Sequence, residues 1–511
     1  MKPLPLSIQT FSEIHRLGLL YVDKTEQIHR LLTQGKYYFL SRPRRFGKSL
    51  LLSTIREIFL GSREMFAGLW LHDRWDWSQT HPVVHIGMAG IGYDKLGLEQ
   101  ALQTELHRQA QAHSIDLIDS SEDQMFRSLI QQLSQAHGRV VVLIDEYDKP
   151  LIDYLGRDLA RAQEHRKVFK RFYSVLKDAD PDLRFVLITG VSRFTKVSIF
   201  SDLNNLTDLT MGSQAADLVG ITQAELEHSF ADYLDHQLAT SGETRQALLD
   251  RVRTWYNGYS WDSETMVYNP YSLLNFFYTQ DLRNYWFETG TPTFLLELMK
   301  AENLYRLDDL RATESSLAAY DLEHIRLLPL LFQTGYLTIK ERGPIRYRLG
   351  YPNREVQQSM QQYILGELMH TDPGFAANPV VDLYEALSED DLARAMEVLQ
   401  GVFARIPYDL FIANREAYYH SLLHVFFELM GNYFTSEVHT HRGRIDAVVQ
   451  TPGDVWIMEF KLDEPAGVAL AQIRDRGYQT GYVGRGKAVH LVGVSFSSAT
   501  KGIADWVEEV L

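Results

Sequence analysis

Cysteine is absent from all 511 residues, so disulfides, thiol nucleophiles and cysteine-ligated zinc are excluded. No run of about 18 apolar residues occurs, and the N-terminal MKPLPLSIQTF lacks the apolar core of an export signal. A soluble, cytoplasmic protein without a membrane partner is therefore expected. Positive charge is in short supply: 51 Lys and Arg stand against 66 Asp and Glu, a net charge of −15. That balance argues against coating of nucleic acid by the whole surface, but leaves room for a local basic groove. Internal repeats and low-complexity segments are also missing. What remains is ordinary globular composition, 45% hydrophobic and 23% charged, with length for roughly two to four domains.

The chain is organised around Tyr37–Phe59, YYFLSRPRRFGKSLLLSTIREIF. An apolar run, a polar basic loop and a helical apolar pattern follow one another, as in a strand, a phosphate-cradling loop and a helix. Against the pattern G-x-x-x-x-G-K-[ST], the second glycine, the lysine and the serine are present as Gly47, Lys48 and Ser49, while Arg42 replaces the first glycine. Pro43 offers no N–H to a phosphate; Arg44 and Arg45 supply charge, and Phe46 completes the loop. A second buried strand, Val140-Val-Val-Leu-Ile144, ends in Asp145-Glu146, at the edge where open α/β sheets bind ligands. The pair of motifs points to ATP with Mg²⁺. Lys48 is expected on the β/γ-phosphates, Ser49 and Asp145 on the magnesium and its shell, and Glu146 as the base that activates water. A third strand, Arg184–Thr189, leads into Gly190-Val-Ser-Arg193. There a polar residue could sense the γ-phosphate, and Arg193 could stabilise transition-state charge in cis or across the interface of a homo-oligomer. Further strand density at Pro82–Met88 and helical patterns at Thr25–Thr33, Leu96–His113, Ser121–His137 and Leu159–Ala179 alternate in the manner of a mostly parallel sheet covered on both faces.

From Ile221 the pattern turns helical, with Thr222 a candidate N-cap. Leu327–Leu349 reads as a helix leading into a hairpin, the outline of a winged helix. Asp372-Pro373-Gly374 reads as a linker, with helices over Val380–Ala404 and Glu416–Leu429 beyond it. The expected fold is therefore α/β: a P-loop NTPase domain over 1–220, a helical lid with a winged-helix-like segment over 221–372, and a third α/β domain over 373–511.

The last domain carries a second constellation, Asp446 with Glu459-Phe-Lys461, on two strands joined by the turn Thr451-Pro-Gly-Asp454. If Gln450 pairs with Val455, Asp446 falls opposite Glu459, and period-2 alternation puts Asp446, Glu459 and Lys461 on one face. Facing carboxylates about 5 Å apart at Cβ repel unless a cation lies between them. A divalent metal (Mg²⁺, or Mn²⁺) with Lys461 beside it makes up the parts for phosphodiester hydrolysis. Glu416 is a further candidate for the metal shell, and Gln472, on the following helix, for a metal-bound water or the DNA backbone. Arg442, Arg444, Arg474 and Arg476 could form a basic track. His420 and His424, spaced i, i+4, are read as packed core.

Five stretches together resemble a family of bacterial and archaeal proteins with an AAA-ATPase-like domain followed by a PD-(D/E)XK nuclease-like domain. They are Tyr21-Val-Asp-Lys-Thr25, Ser41–Ser49, Val142–Asp148, Trp255-Tyr-Asn-Gly-Tyr259 and Gly443–Lys461. The resemblance implies that an arginine-rich loop lacking the first glycine is regular in the group. It also implies a restriction-endonuclease-like α-β-β-β-α-β core in which Asp446, Glu459 and Lys461 match the D…(D/E)-x-K signature, with Ile445 where a proline often stands. A role in defence against mobile elements is among the suggestions for such proteins. The leading expectation is an ATPase coupled to Mg²⁺-dependent cleavage of nucleic acid, DNA rather than RNA. The alternative is a nucleotide switch whose nuclease-like domain binds nucleic acid without cutting it.

Overall fold

The computed structural model describes residues 1–193, 199–200, 203, 205–286, 293–302, 304–318, 326–405, 423–431, 438–440, 446–484, 486–500 and 502–511. The chain forms two compact units, Met1–Leu298 with Leu307–Glu355, and Met299–Arg306 with Val356–Leu511.

The first unit is built on five parallel strands, β1 (Tyr37–Ser41), β2 (Val83–Gly87), β3 (Val140–Asp145), β4 (Leu183–Gly190) and β5 (Thr207–Asp208), in the order β2-β3-β4-β1-β5. Every residue of β1 and β3 is buried, which is why these strands read as continuous apolar runs rather than as alternations. The helices Leu98–Ala112, Glu122–His137 and Leu159–Asp178 lie within two residues of their expected bounds. Their apolar stripes close one core with the sheet, where Phe126 stacks on Phe172 at 4.4 Å and Val142, Ile144, Val186 and Ile188 face them. The sheet order inserts β4 between the P-loop strand β1 and the acidic strand β3, so the end of β4 lies between the two motifs.

Beyond the sheet, Thr222 caps the helix Gln223–Ser229 in a reciprocal capping box with Glu225. It sits on a short ladder of β6 (Ile221–Thr222) and β7 (Val267–Tyr268). The helix Leu327–Thr334 ends on Gly335 in the left-handed conformation and leads into β9 (Thr338–Arg342) and β10 (Tyr347–Gly350), the expected wing. A third strand, β8 (Leu310–Ala312), joins that hairpin.

The second unit carries a mixed sheet, β11 (Val438–Thr440), β12 (Asp446–Gln450), β13 (Asp454–Leu462), β14 (Ala488–Ser497) and β15 (Gly502–Val510), paired in that order. β13 and β14 run parallel, and the helix Ala466–Asp475 makes the crossover. Its Ile473 packs with Val448, Val455, Ile457, Val489 and Leu491 on one face of the sheet. The edge strand β15 extends the sheet beyond the sequence expectation. Two local differences stand out. Asp372–Gly374, expected as a linker, opens a short helix, with Asp372 accepting from the Gly374 amide. The helix expected over 380–404 is two, Asn378–Ser388 and Leu392–Ala404, because Asp390 adopts a left-handed φ of 56° and Asp391 caps the second through the Arg394 amide. Among the described residues no helix is long and apolar enough to cross a membrane.

Gly493 on β14 lets the crossover helix approach: a Cβ there would lie 2.3 Å from the Ala466 carbonyl oxygen and 2.7 Å from the Leu470 nitrogen. Backbone cannot yield as a flexible side chain can, so Gly493→Ala should destabilise the second unit by about 2–3 kcal/mol in urea unfolding of the full chain.

Candidate nucleotide site and candidate metal centre

Ser41 ends β1, and the loop to Gly47 turns through two left-handed residues, Arg45 (φ 67°) and Gly47 (φ 90°), before the helix Lys48–Phe59 begins. The loop is held from beneath by Arg42, whose side chain is fully buried. Its guanidinium donates to the carbonyls of Ser41, Thr210 and Ala215 and stacks on Trp261 at 4.0 Å. Burial pushes the guanidinium down to about 9, opposed by Asp208 and Asp262, and it stays cationic at neutral pH. The residue in the place of the first glycine is thus an internal strut, aimed into the protein and away from the phosphate position. Other supports come from segments the sequence left without a role. Phe46 packs edge-on against Tyr259 and Trp261, Arg45 lies over Tyr271, and Trp286 donates its indole N–H to the Arg44 carbonyl. Gly335 faces Pro43 so closely that a Cβ would fall 2.6 Å from its ring.

At the mouth of the loop, Lys48 is buried and donates to the carbonyls of Arg42 and Pro43 at 2.9 Å each. Burial lowers its pKa, opposed by Asp145, Asp148 and Glu146. Ser49 donates to Asp145 at 2.5 Å, and the other oxygen of Asp145 accepts from Thr189 at 2.7 Å. The serine, the carboxylate and the polar end of β4 therefore converge. Glu146 follows with a left-handed φ of 52°, its carboxyl raised in pKa by burial and by Asp145. Asp148 is a residue that reading the sequence missed. Fully buried, it accepts from the amides of Val191 and Ser192 and from the Ser192 hydroxyl, and so ties the acidic motif to the loop after β4. Arg193 is engaged elsewhere, in an ion pair with Asp208 at 2.5 Å.

Within Tyr21–Thr25, Asp23 accepts from the Trp70 amide, and Lys24 joins the Asp217 carbonyl and Glu225. An apolar cavity of about 100 Å³ opens beside Gly47, lined by Tyr21, Val22, Phe46, Leu218, Ile221 and Phe230.

In the second unit the expected register holds at every position, Gln450 with Val455, Val448 with Ile457 and Asp446 with Glu459. Asp446 is placed by its strand position alone. Glu416, Arg442, Arg444, Ile445 and His420 lie outside the described residues. Glu459 is 1% exposed. One carboxylate oxygen accepts from Gln472 and from Lys461, the latter at 3.3 Å, while the other is buried and has no hydrogen-bond partner among the described residues. A buried carboxylate oxygen lacking a hydrogen bond is costly, and its position across from Asp446 fits a divalent cation with oxygen ligands.

A family model described as predicted AAA-ATPase matches residues 5–200, and one for the PD-(D/E)XK nuclease superfamily matches residues 414–506. An uncharacterized protein in the vnfD 5′ region of Azotobacter chroococcum mcd 1 is 41% identical over 526 residues, covering 100% of this chain and 99% of its own length.

Arg42→Ala should leave three buried carbonyls and the face of Trp261 without a partner and cost about 3–5 kcal/mol by chemical unfolding, with nucleotide binding lost in calorimetry at temperatures where the chain remains folded. Asp148→Ala should cost about 3 kcal/mol by stranding two buried amides and a hydroxyl.

Proposed function

Because the chain belongs to the family that joins an AAA-ATPase-like domain to a PD-(D/E)XK nuclease domain, we propose that it hydrolyses ATP at the Lys48–Asp145 site and cleaves nucleic acid, DNA in preference to RNA, at the Asp446–Glu459 site. The observation that carries the nuclease half is the unpartnered oxygen of buried Glu459, opposite Asp446 and flanked by Lys461 and Gln472. A domain that only bound nucleic acid would gain nothing from keeping such a carboxylate out of water.

In the first unit, Lys48 exchanges its two loop carbonyls for phosphate oxygens, and the amides at the start of the helix Lys48–Phe59 face the same anion. Ser49 and Asp145 hold magnesium, which when bound neutralises charge on the phosphates. Glu146 takes the proton of the attacking water, and its raised pKa suits it to that task. Thr189 keeps Asp145 in place. The cavity beside Gly47 offers the apolar walls that a nucleobase requires. In the second unit, Asp446 and Glu459 hold a divalent ion, which when bound polarises the phosphate and acidifies water. Lys461 offers its ammonium to the phosphate, and Gln472 orients Glu459 through its amide. Arg474 and Arg476 provide sequence-independent phosphate contacts. Arg193 neutralises transition-state charge once released from Asp208.

Cleavage of single- and double-stranded DNA and RNA by wild type, Lys48→Ala and Asp446→Ala decides the matter. Asp446→Ala should lose cleavage while keeping ATP turnover, and Lys48→Ala should lose ATP turnover. Intact substrates with folded wild-type protein, with Mg²⁺ or Mn²⁺ and with or without ATP, would sink the nuclease assignment. Glu146→Gln should retain ATP binding and lose at least about a hundredfold in turnover.

A further inference from the structure

On the face of the second sheet turned away from Glu459, His490 sits among carboxylates that neither proposed activity uses. Strand pairing sets His490 of β14 beside Trp456 of β13, and Trp456 and Glu459 alternate to opposite faces. The imidazole is 2% exposed and lies flat on the Trp456 ring, 3.8 Å between centroids and 19° between planes. Trp456 is itself fixed by its indole N–H to the Leu387 carbonyl. Ring position and tilt are thus set by packing.

The two nitrogens differ. Nδ1 lies 2.7 Å from Glu508 Oε1 on β15. Nε2 is buried and makes no hydrogen bond among the described residues. It points between Asp454 Oδ1 at 3.5 Å and Asp390 Oδ1 at 3.7 Å. Each of these nitrogen–oxygen distances is near the roughly 3.4 Å between neighbouring ligands of a tetrahedral ion with bonds of about 2.0–2.1 Å. A carboxylate behind one ring nitrogen and an unoccupied second nitrogen is the arrangement that fixes a histidine ligand in its metal-binding tautomer.

We propose that His490 Nε2, Asp390 and Asp454 bind a divalent transition cation of the zinc class, with Glu508 orienting the imidazole. The mixed nitrogen and oxygen donors favour such an ion over magnesium or calcium, which take oxygen ligands. Asp390 is exposed at the turn between two helices, so the ion enters from solvent there. The ion then clips that turn to the start of β13 and to β14, joining the helix pair to the sheet.

The test uses full-length protein in a Glu459→Gln background, which disables the other candidate metal centre, stripped with chelator and titrated with Co²⁺ in excess Mg²⁺. One equivalent should develop the strong visible absorption of a four-coordinate site and be displaced by Zn²⁺. Asp390→Asn and Asp454→Asn should each weaken binding at least about tenfold, and Glu508→Gln about tenfold. Zn²⁺ should raise Tm in the parent and not in the Asp390→Asn, Asp454→Asn double variant, Asp390 being exposed and both replacements keeping the shape of the side chain. His490→Gln is not the deciding variant, since loss of its packing on Trp456 can unfold the sheet. No absorption in the parent protein, or absorption and a Tm rise undiminished in the double variant, would overturn the proposal.

Discussion

A buried positive charge underlies the nucleotide site. Arg42 has no exposed surface, and a guanidinium taken out of water is tolerable only where acceptors replace its hydration. Three backbone carbonyls and an indole face do so, and they come from the strand end, the loop after β5 and the segment after Tyr259. The phosphate loop is thereby tied to chain positions about 170 and 220 residues away. A glycine at this position would give the loop freedom of conformation; the arginine gives it anchorage. Left-handed Arg45 and Gly47 then make the turn that the missing glycine would otherwise help to make.

The same logic extends outward. Phe46, Arg45, Arg44 and Pro43 each meet an element from beyond the sheet: Tyr259 and Trp261, Tyr271, Trp286 and Gly335. The loop is thus braced by residues between Tyr259 and Gly335. Asp148 does for the acidic side what Arg42 does for the basic side, holding the loop after β4 through two amides and a hydroxyl.

How much of this was legible in the sequence depends on the range of the interaction. The hairpin register was readable because a Pro-Gly turn and a period of two leave one pairing that buries the apolar residues, and every expected partner is found. The meeting of Ser49 with Asp145 was readable because each motif marks a strand end. The strut made by Arg42 was not, since charge in a loop reads as solvent-facing and its acceptors are backbone carbonyls, which carry no sequence signature. Nor was the engagement of Arg193 by Asp208, or the break at Asp390, where an acidic run inside an apolar pattern looks like one exposed turn of a continuous helix. His490 reads as one residue of an apolar strand until β15 brings Glu508 beside it.

The turn Thr451–Asp454 is closed by backbone and hydroxyl bonds between its two ends. It contains no group with a chemical role in cleavage. Yet strand parity makes its length decisive: one residue more or less would carry Asp446 to the side of the sheet occupied by Trp456 and leave Glu459 facing an alanine or an isoleucine. The spacing between the two carboxylates is therefore under tighter constraint than the identity of Pro452 and Gly453, which fill the turn between Thr451 and Asp454.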